Sequence, residues 1–159
     1  MVHHCHVASA DYEYDSGTLV SIGYEGKTVG DLVAQLLEQD VRVLVDVRLT
    51  PLSRKPGLSK TKLAAALRVA GIEYVHHRAL GNPKDNRAGF RAGEPESVAR
   101  YREVLETADA SDALAHVCEL LDGGAVALLC FEHDHAACHR NVVVDRLLET
   151  RPNAAVVHV

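Results

Sequence analysis

The densest run of reactive side chains lies near the C-terminus. There Cys130 is followed by Glu132, His133 and His135, and then by Cys138, His139 and Arg140. An apolar run over residues 125–129 leads into Cys130, and an amphipathic segment over residues 141–149 follows Arg140. A thiolate is the form of cysteine that attacks electrophiles and binds metals, and its pKa falls beside cations or at a helix N-terminus. Cys138, next to His139 and Arg140 at the start of a predicted helix, is therefore a candidate thiolate. Cys130, at the end of a predicted buried strand, is a candidate nucleophile or a resolving partner for Cys138. Glu132 has the chemistry of a general acid/base, or of an acid that orients an arginine. Each has a plainer alternative. Cys130 reads equally as an inert core thiol, Cys138 as a small helix residue and Glu132 as a salt-bridging loop acid.

The same loop offers metal ligands. Cys130, His133, His135, Cys138 and His139 hold enough nitrogen and sulfur for zinc, although their spacing matches no standard structural zinc motif. No cofactor is predicted, and a zinc ion on this loop is the exception to test. His3, His4, Cys5 and His6 form a second cluster in an N-terminal arm. The four cysteines, Cys5, Cys118, Cys130 and Cys138, suit burial, catalysis or metal binding better than disulfides in a cytoplasmic protein of this size.

A second group of polar residues could hold an anion. Arg48, Ser53 and Arg54 follow one predicted strand, Tyr24 another, Asn82 a third, and Arg140 belongs to the cysteine loop. Arginine grips phosphate through a rigid fork of donors. Neither a Walker-type phosphate loop nor GxGxxG is present, so no nucleotide fingerprint supports the site. Charge is uneven. Residues 48–91 hold ten Lys or Arg against two acids, Glu73 and Asp85, in a chain of net charge -5. That basic segment is a solvated face or an anion-attracting surface. Nucleic acid is the alternative partner, although Tyr74 and Phe90 are the segment's only aromatic residues and base stacking needs more. Asp46, inside a predicted buried strand, needs a partner, and Arg54 or Arg140 is the expected one.

These residues must be held by elements that the sequence also outlines. Strands are predicted over residues 18–24, 41–47, 72–76, 125–130 and 154–159. Helices are predicted from Thr28 to Gln39, from Ser59 to Gly71, over residues 96–121 with a break near 109–112, and over 137–149. Thr28 with Asp31 reads as a capping box, and Ser59 as a cap. Residues 80–95 read as a long loop. The nearly unbroken β-branched run over 41–47 marks a strand buried on both faces. Alternating strands and helices predict a three-layer α/β fold, with a mainly parallel sheet of about five strands and helices on both faces. The expected organisation is an arm over residues 1–16 and a single α/β domain over 17–159. No apolar run reaches the ~20 residues of a membrane span, so a cytoplasmic protein is expected. The oligomeric state is not legible. In such sheets ligands bind beyond the strand carboxyl ends, where all the residues above converge.

The elements Ile22-Gly23-Tyr24-Glu25-Gly26, Asp46-Val47-Arg48 with Pro51, Ser53 and Arg54, Ile72-Glu73-Tyr74 leading to Leu80-Gly81, and Leu129-Cys130-Phe131-Glu132 ending in Cys138-His139-Arg140 together resemble the DUF488 family, a domain of unknown function. The resemblance spans residues 22–148 and implies the fold and the site, without a reaction. A looser likeness is to rhodaneses and cysteine phosphatases, in which a Val-Asp-Val-Arg strand also occurs and a catalytic cysteine ends a later strand. Their anion-binding loops place an arginine shortly after the cysteine, where this chain has Ala136.

Three functional expectations follow. The first is a cysteine-dependent enzyme acting on a phosphate-bearing or other anionic substrate, with Cys130, Cys138, Glu132 and His139 as catalytic candidates. The second is a binding module for nucleic acid or a nucleotide that uses residues 48–91. The third is a metal- or redox-responsive protein built on the Cys/His loop.

Overall fold

The computed structural model describes residues 17–159. The arm predicted for residues 1–16, with its His/Cys cluster, lies outside the described residues. Five strands form one sheet: β1 (Thr18–Gly23), β2 (Val41–Asp46), β3 (Glu73–His76), β4 (Ala125–Cys130) and β5 (Ala155–His158). Their order is β3-β2-β4-β1-β5, and every pair is parallel. Six α-helices connect them: α1 (Val29–Glu38), α2 (Lys60–Val69), α3 (Arg87–Arg91), α4 (Pro95–Leu105), α5 (Ala108–Leu121) and α6 (Arg140–Thr150). The chain is thus a three-layer α/β domain. None of its described helices is long and apolar enough to cross a membrane.

The period of two along each strand divides the core. Leu32 and Leu36 of α1 and Leu63 and Leu67 of α2 pack on Val20, Ile22, Leu44 and Leu129. On the opposite face Tyr101, Val117, Val143 and Leu147 pack on Val43, Val45, Val126 and Leu128. Cys130 follows Val126 and Leu128 in register and shares their cluster. Both faces of β2 and β4 are covered, which is why these strands read as continuous apolar runs.

Local chemistry sets the element ends, and in four places it corrects the sequence reading. The Thr28–Asp31 capping box is present, with both hydrogen bonds at 3.0 Å. Ser59 holds the N-cap position of α2, but its side chain makes no cap bond. Its hydroxyl accepts from Ser53 N and donates to Ser53 O, closing the loop on itself. The helical break lies at Thr107 rather than at 109–112, because the Thr107 hydroxyl accepts from Ala110 N and starts α5. Residues 80–95 are not an open loop: they contain a 3-10 turn at Lys84–Asn86 and then α3. Finally, α6 begins at Arg140 rather than Ala137. A 3-10 turn at His135–Ala137 intervenes, capped by Asp134, so Cys138 sits before the helix in extended backbone.

Candidate functional site

The carboxyl ends of β1, β2 and β4 lie side by side, and their loops meet above them. Two glycines permit this. A Cβ on Gly23 would collide with the Glu132 carbonyl and stand 2.9 Å from Arg140 Nη1. One on Gly81 would run into the Leu49 backbone. The β1 loop therefore closes on the cysteine loop, and the β3 loop on the β2 loop.

Asp46 and Arg48 anchor the second loop from beneath. Asp46 is fully buried, and Arg48 is 5% exposed. The carboxylate accepts from Arg48 Nε at 2.9 Å, Arg48 Nη2 at 2.7 Å, Arg48 N at 3.1 Å and Tyr74 Oη at 2.6 Å. This corrects the expected partner of Asp46, which is neither Arg54 nor Arg140. Two residues along an extended chain suffice for Arg48 to fold back on the carboxylate. Arg48 Nη1 also donates to the Leu58 carbonyl at 2.8 Å, tying the far end of the loop. Burial and the Asp46 contact push the Tyr74 hydroxyl up, so it stays a donor.

Three side chains meet at the end of β4. His139 Nδ1 lies 3.8 Å from Cys130 Sγ and 3.7 Å from Cys138 Sγ. Its Nε2 donates to the Val47 carbonyl at 2.9 Å, which orients Nδ1 toward both sulfurs. The Cys138 hydrogen bond, together with the nearby His139 charge, outweighs burial and lowers Cys130 to about 5. Burial, the bond to Cys130 and that thiolate's charge push Cys138 well up. His139 is raised despite burial, because the Cys130 thiolate favours its proton. These directions, with Nδ1 of His139 facing both sulfurs, favour the thiolate at Cys130 over Cys138.

Above Cys130 opens a cavity of about 200 Å³. Cys130 and His139 line it, with Asn82, Arg87, Arg91 and Glu132 among the polar groups. Glu132 Oε1 accepts from Arg91 Nη2 at 3.0 Å, while its Oε2 is buried without a protein partner. Burial pushes the Glu132 carboxyl up, but the Arg91 contact and the nearby donors outweigh it and leave it below its usual range. Leu52 and Phe131, both exposed, give the cavity an apolar rim.

The DUF488 family model, described as a domain of unknown function, matches residues 28–147. The chain belongs to this family. The DUF488 match takes in β2, β4, α3 and the whole cysteine loop, so every cavity-lining residue except Tyr24 lies within it. No curated protein and no solved structure matches the chain.

The predicted site residues of this DUF488 chain fall into separate places. Cys130, Cys138, His139 and Glu132 come together at the end of β4. Tyr24, Arg48 and Asn82 line the same cavity, although Arg48 is held by Asp46 and Asn82 Oδ1 accepts from Asn86. Ser53 and Arg54 do not line it; they border a separate open groove with Lys55, Lys60 and Lys62. Arg140, 1% exposed, points back under the loop and donates to the Ile22 and Glu132 carbonyls, each at 2.7 Å. His135 bonds Ser21 Oγ at 2.6 Å and stacks on His158, and His133 is exposed, so neither joins the two thiols. Among the described residues, the group able to hold a metal is instead Cys130, Cys138 and His139, whose ligand atoms lie within 4.8 Å of one another. Arg87 and Arg91 escaped the sequence reading. Their only signal was their place in the basic segment, within what read as a featureless loop.

Proposed function

We propose that this protein is an enzyme that uses the Cys130 thiolate as a nucleophile on a small anionic substrate, with a phosphate-bearing compound as the favoured class. The observation that carries the reading is the placement of Cys130. Cys130 lines the cavity, with the His139 imidazole and the Cys138 thiol beside its sulfur, and these neighbours favour its ionised form. Arg87 and Arg91 supply the cations at the wall. Glu132, with one oxygen on Arg91 and one unengaged, has the place of the general acid/base. In outline, the Cys130 sulfur attacks the electrophilic centre and the leaving group departs. Water then frees the enzyme, giving its proton to Glu132. The strand-end cysteine has the position used by rhodaneses and cysteine phosphatases. Here the anion contacts come from α3 rather than from the loop after the cysteine, which explains why Ala136 can stand where those loops carry arginine. Cys118, Cys130 and Cys138 are all free thiols, which fits a reducing compartment and supports a cytoplasmic location.

Alkylation tests the reading. Iodoacetamide at mildly acidic pH should label Cys130 ahead of Cys118 and Cys138, and inorganic phosphate should slow that labelling. Equal, slow labelling of all three thiols rejects it.

The three-ligand geometry favours a second reading. Cys130, Cys138 and His139 match the ligand set of a catalytic zinc site that keeps a fourth position open, here toward the cavity. The Nε2 bond of His139 to the Val47 carbonyl is the outer contact that metal-binding histidines use. Elemental analysis of untagged protein decides between the two. Stoichiometric zinc that is lost in Cys138→Ser establishes the metal reading, and metal-free protein with a reactive Cys130 removes it.

A further inference from the structure

We propose that Cys130 and Cys138 form a reversible redox pair, in which a small hydroperoxide oxidises Cys130 and Cys138 resolves the product as an intramolecular disulfide. The inference rests on the reading of Cys130 as the reactive thiol, and it adds a chemical role for Cys138.

The two sulfurs are not equivalent in access. Cys130 lines the cavity; Cys138, 1% exposed, lies behind it and takes no part in the lining. An oxidant entering from solvent therefore meets Cys130 first. The cavity, about 200 Å³, has room for a small hydroperoxide. The two sulfurs lie within 4.8 Å of each other, so the second bond can form by side-chain adjustment. One imidazole serves both steps, since His139 Nδ1 faces both sulfurs at nearly equal distance. Packing alone would ask for neither a shared proton carrier nor a buried carboxylate oxygen beside the pair.

The electrons and protons balance. The Cys130 thiolate attacks the terminal oxygen of the hydroperoxide. The O–O bond breaks, an S–O bond forms, and the alkoxide leaves as an alcohol with the His139 proton. Sulfur has lost two electrons, and the peroxide has gained them. Neutral His139 then takes the Cys138 proton. The Cys138 sulfur attacks the Cys130 sulfenic acid, an S–S bond replaces the S–O bond, and hydroxide departs as water with the proton from His139. An external dithiol restores both thiols by exchange and is itself oxidised to a disulfide.

The test uses the full chain, reduced, exposed to a stoichiometric amount of hydrogen peroxide, alkylated and cleaved after glutamate. Cleavage at Glu119, Glu132 and Glu149 places Cys130 in residues 120–132, Cys138 in 133–149 and Cys118 in neither. The expected product is residues 120–132 joined to 133–149, lighter by two hydrogens and released by dithiothreitol. In Cys138→Ser the link should vanish, and dimedone should trap Cys130 as its sulfenic acid. Wild-type Cys130 driven to sulfinate while Cys138 remains free overturns the pair. So does the absence of any link in protein whose Cys130 reacts with iodoacetamide, and in that case the nucleophile reading survives. A Cys130 inert to both reagents removes both.

Discussion

Arg140 Nη1 donates to the Ile22 carbonyl at 2.7 Å and joins the start of α6 to β1 across 118 residues of sequence. The same guanidinium donates to the Glu132 carbonyl from Nη2. It is buried and has no carboxylate partner among the described residues, so the loop carbonyls do the work that an acid would otherwise do. Arg140→Ala should leave the buried Ile22 carbonyl and the half-buried Glu132 carbonyl without this donor and cost about 2–6 kcal/mol, at roughly 1–3 per unpaired group. Arg140→Lys should recover little of this, because one ammonium lacks the fork that spans both acceptors. Urea unfolding of the two variants against wild type measures it. A loss under about 0.5 kcal/mol, the range of an ordinary surface substitution, would show the bridge to be dispensable.

Asp46 and Arg48 have a different dependence on each other. Removing Arg48 strands a fully buried carboxylate, so Arg48→Ala should lose about 3–5 kcal/mol. Tyr74→Phe removes one donor from the same carboxylate and should cost about 1–2 kcal/mol. Thermal or denaturant unfolding should rank the variants in that order, and the reverse order would show that Tyr74 rather than Arg48 holds the carboxylate.

The pH profile of Cys130 labelling follows from its lowered pKa. A thiol held near 5 stays ionised down to that pH, so its alkylation should be flat through neutrality and fall only as pH drops through about 5. Burial shifts Cys118 upward from the ordinary value of 9.0, so its labelling should still be climbing in mild alkali. His139→Gln removes the charge that holds the Cys130 thiolate and should move the Cys130 inflection toward that of Cys118. Residue-resolved mass spectrometry gives both curves. Parallel profiles for the two thiols would contradict the cluster's electrostatics.

Arg91 is 53% exposed and pairs with Glu132, so the pair itself adds little stability, about 0–1 kcal/mol. Arg91→Ala should therefore leave unfolding nearly unchanged. It should still weaken phosphate protection of Cys130 by about tenfold or more, the worth of one charge-assisted hydrogen bond. Arg54→Ala, in the separate groove, should leave that protection intact. The opposite pattern would move the anion site out of the cavity.

The strands and most helices were readable because their signals are local. Continuous apolar runs at 41–47 and 125–130, the Thr28 box and the glycine after α2 each act within a few residues. The two helix starts that shifted had competitors just as close: Thr107 capped ahead of the expected break, and Asp134 capped a 3-10 turn before α6 could begin. Ser59 kept its place before α2 but gave its hydroxyl to Ser53. Residues 80–95 misled through their Gly, Asn and Pro content. Their order comes from distant partners, such as the Ser97 carbonyl that accepts from Asn86.

By itself, the sequence determined a parallel α/β sheet and the edge of it where the polar and thiol residues gather, because side-chain period and chain direction are properties of neighbouring residues. It also marked Cys130, Glu132, Cys138 and His139 as candidates, together with His133, His135 and Arg140 of the same loop, which the structure carries elsewhere. Only the tertiary structure decided which arginines are drawn into the frame and which stay at the cavity wall. Arg48 and Arg140 were drawn inward by buried acceptors, a carboxylate and two carbonyls. Arg87 and Arg91 were left at the wall by a helix whose position depends on packing across the whole sheet face. An arginine's role follows from which acceptor it meets first in three dimensions, and that meeting has no trace in spacing along the chain.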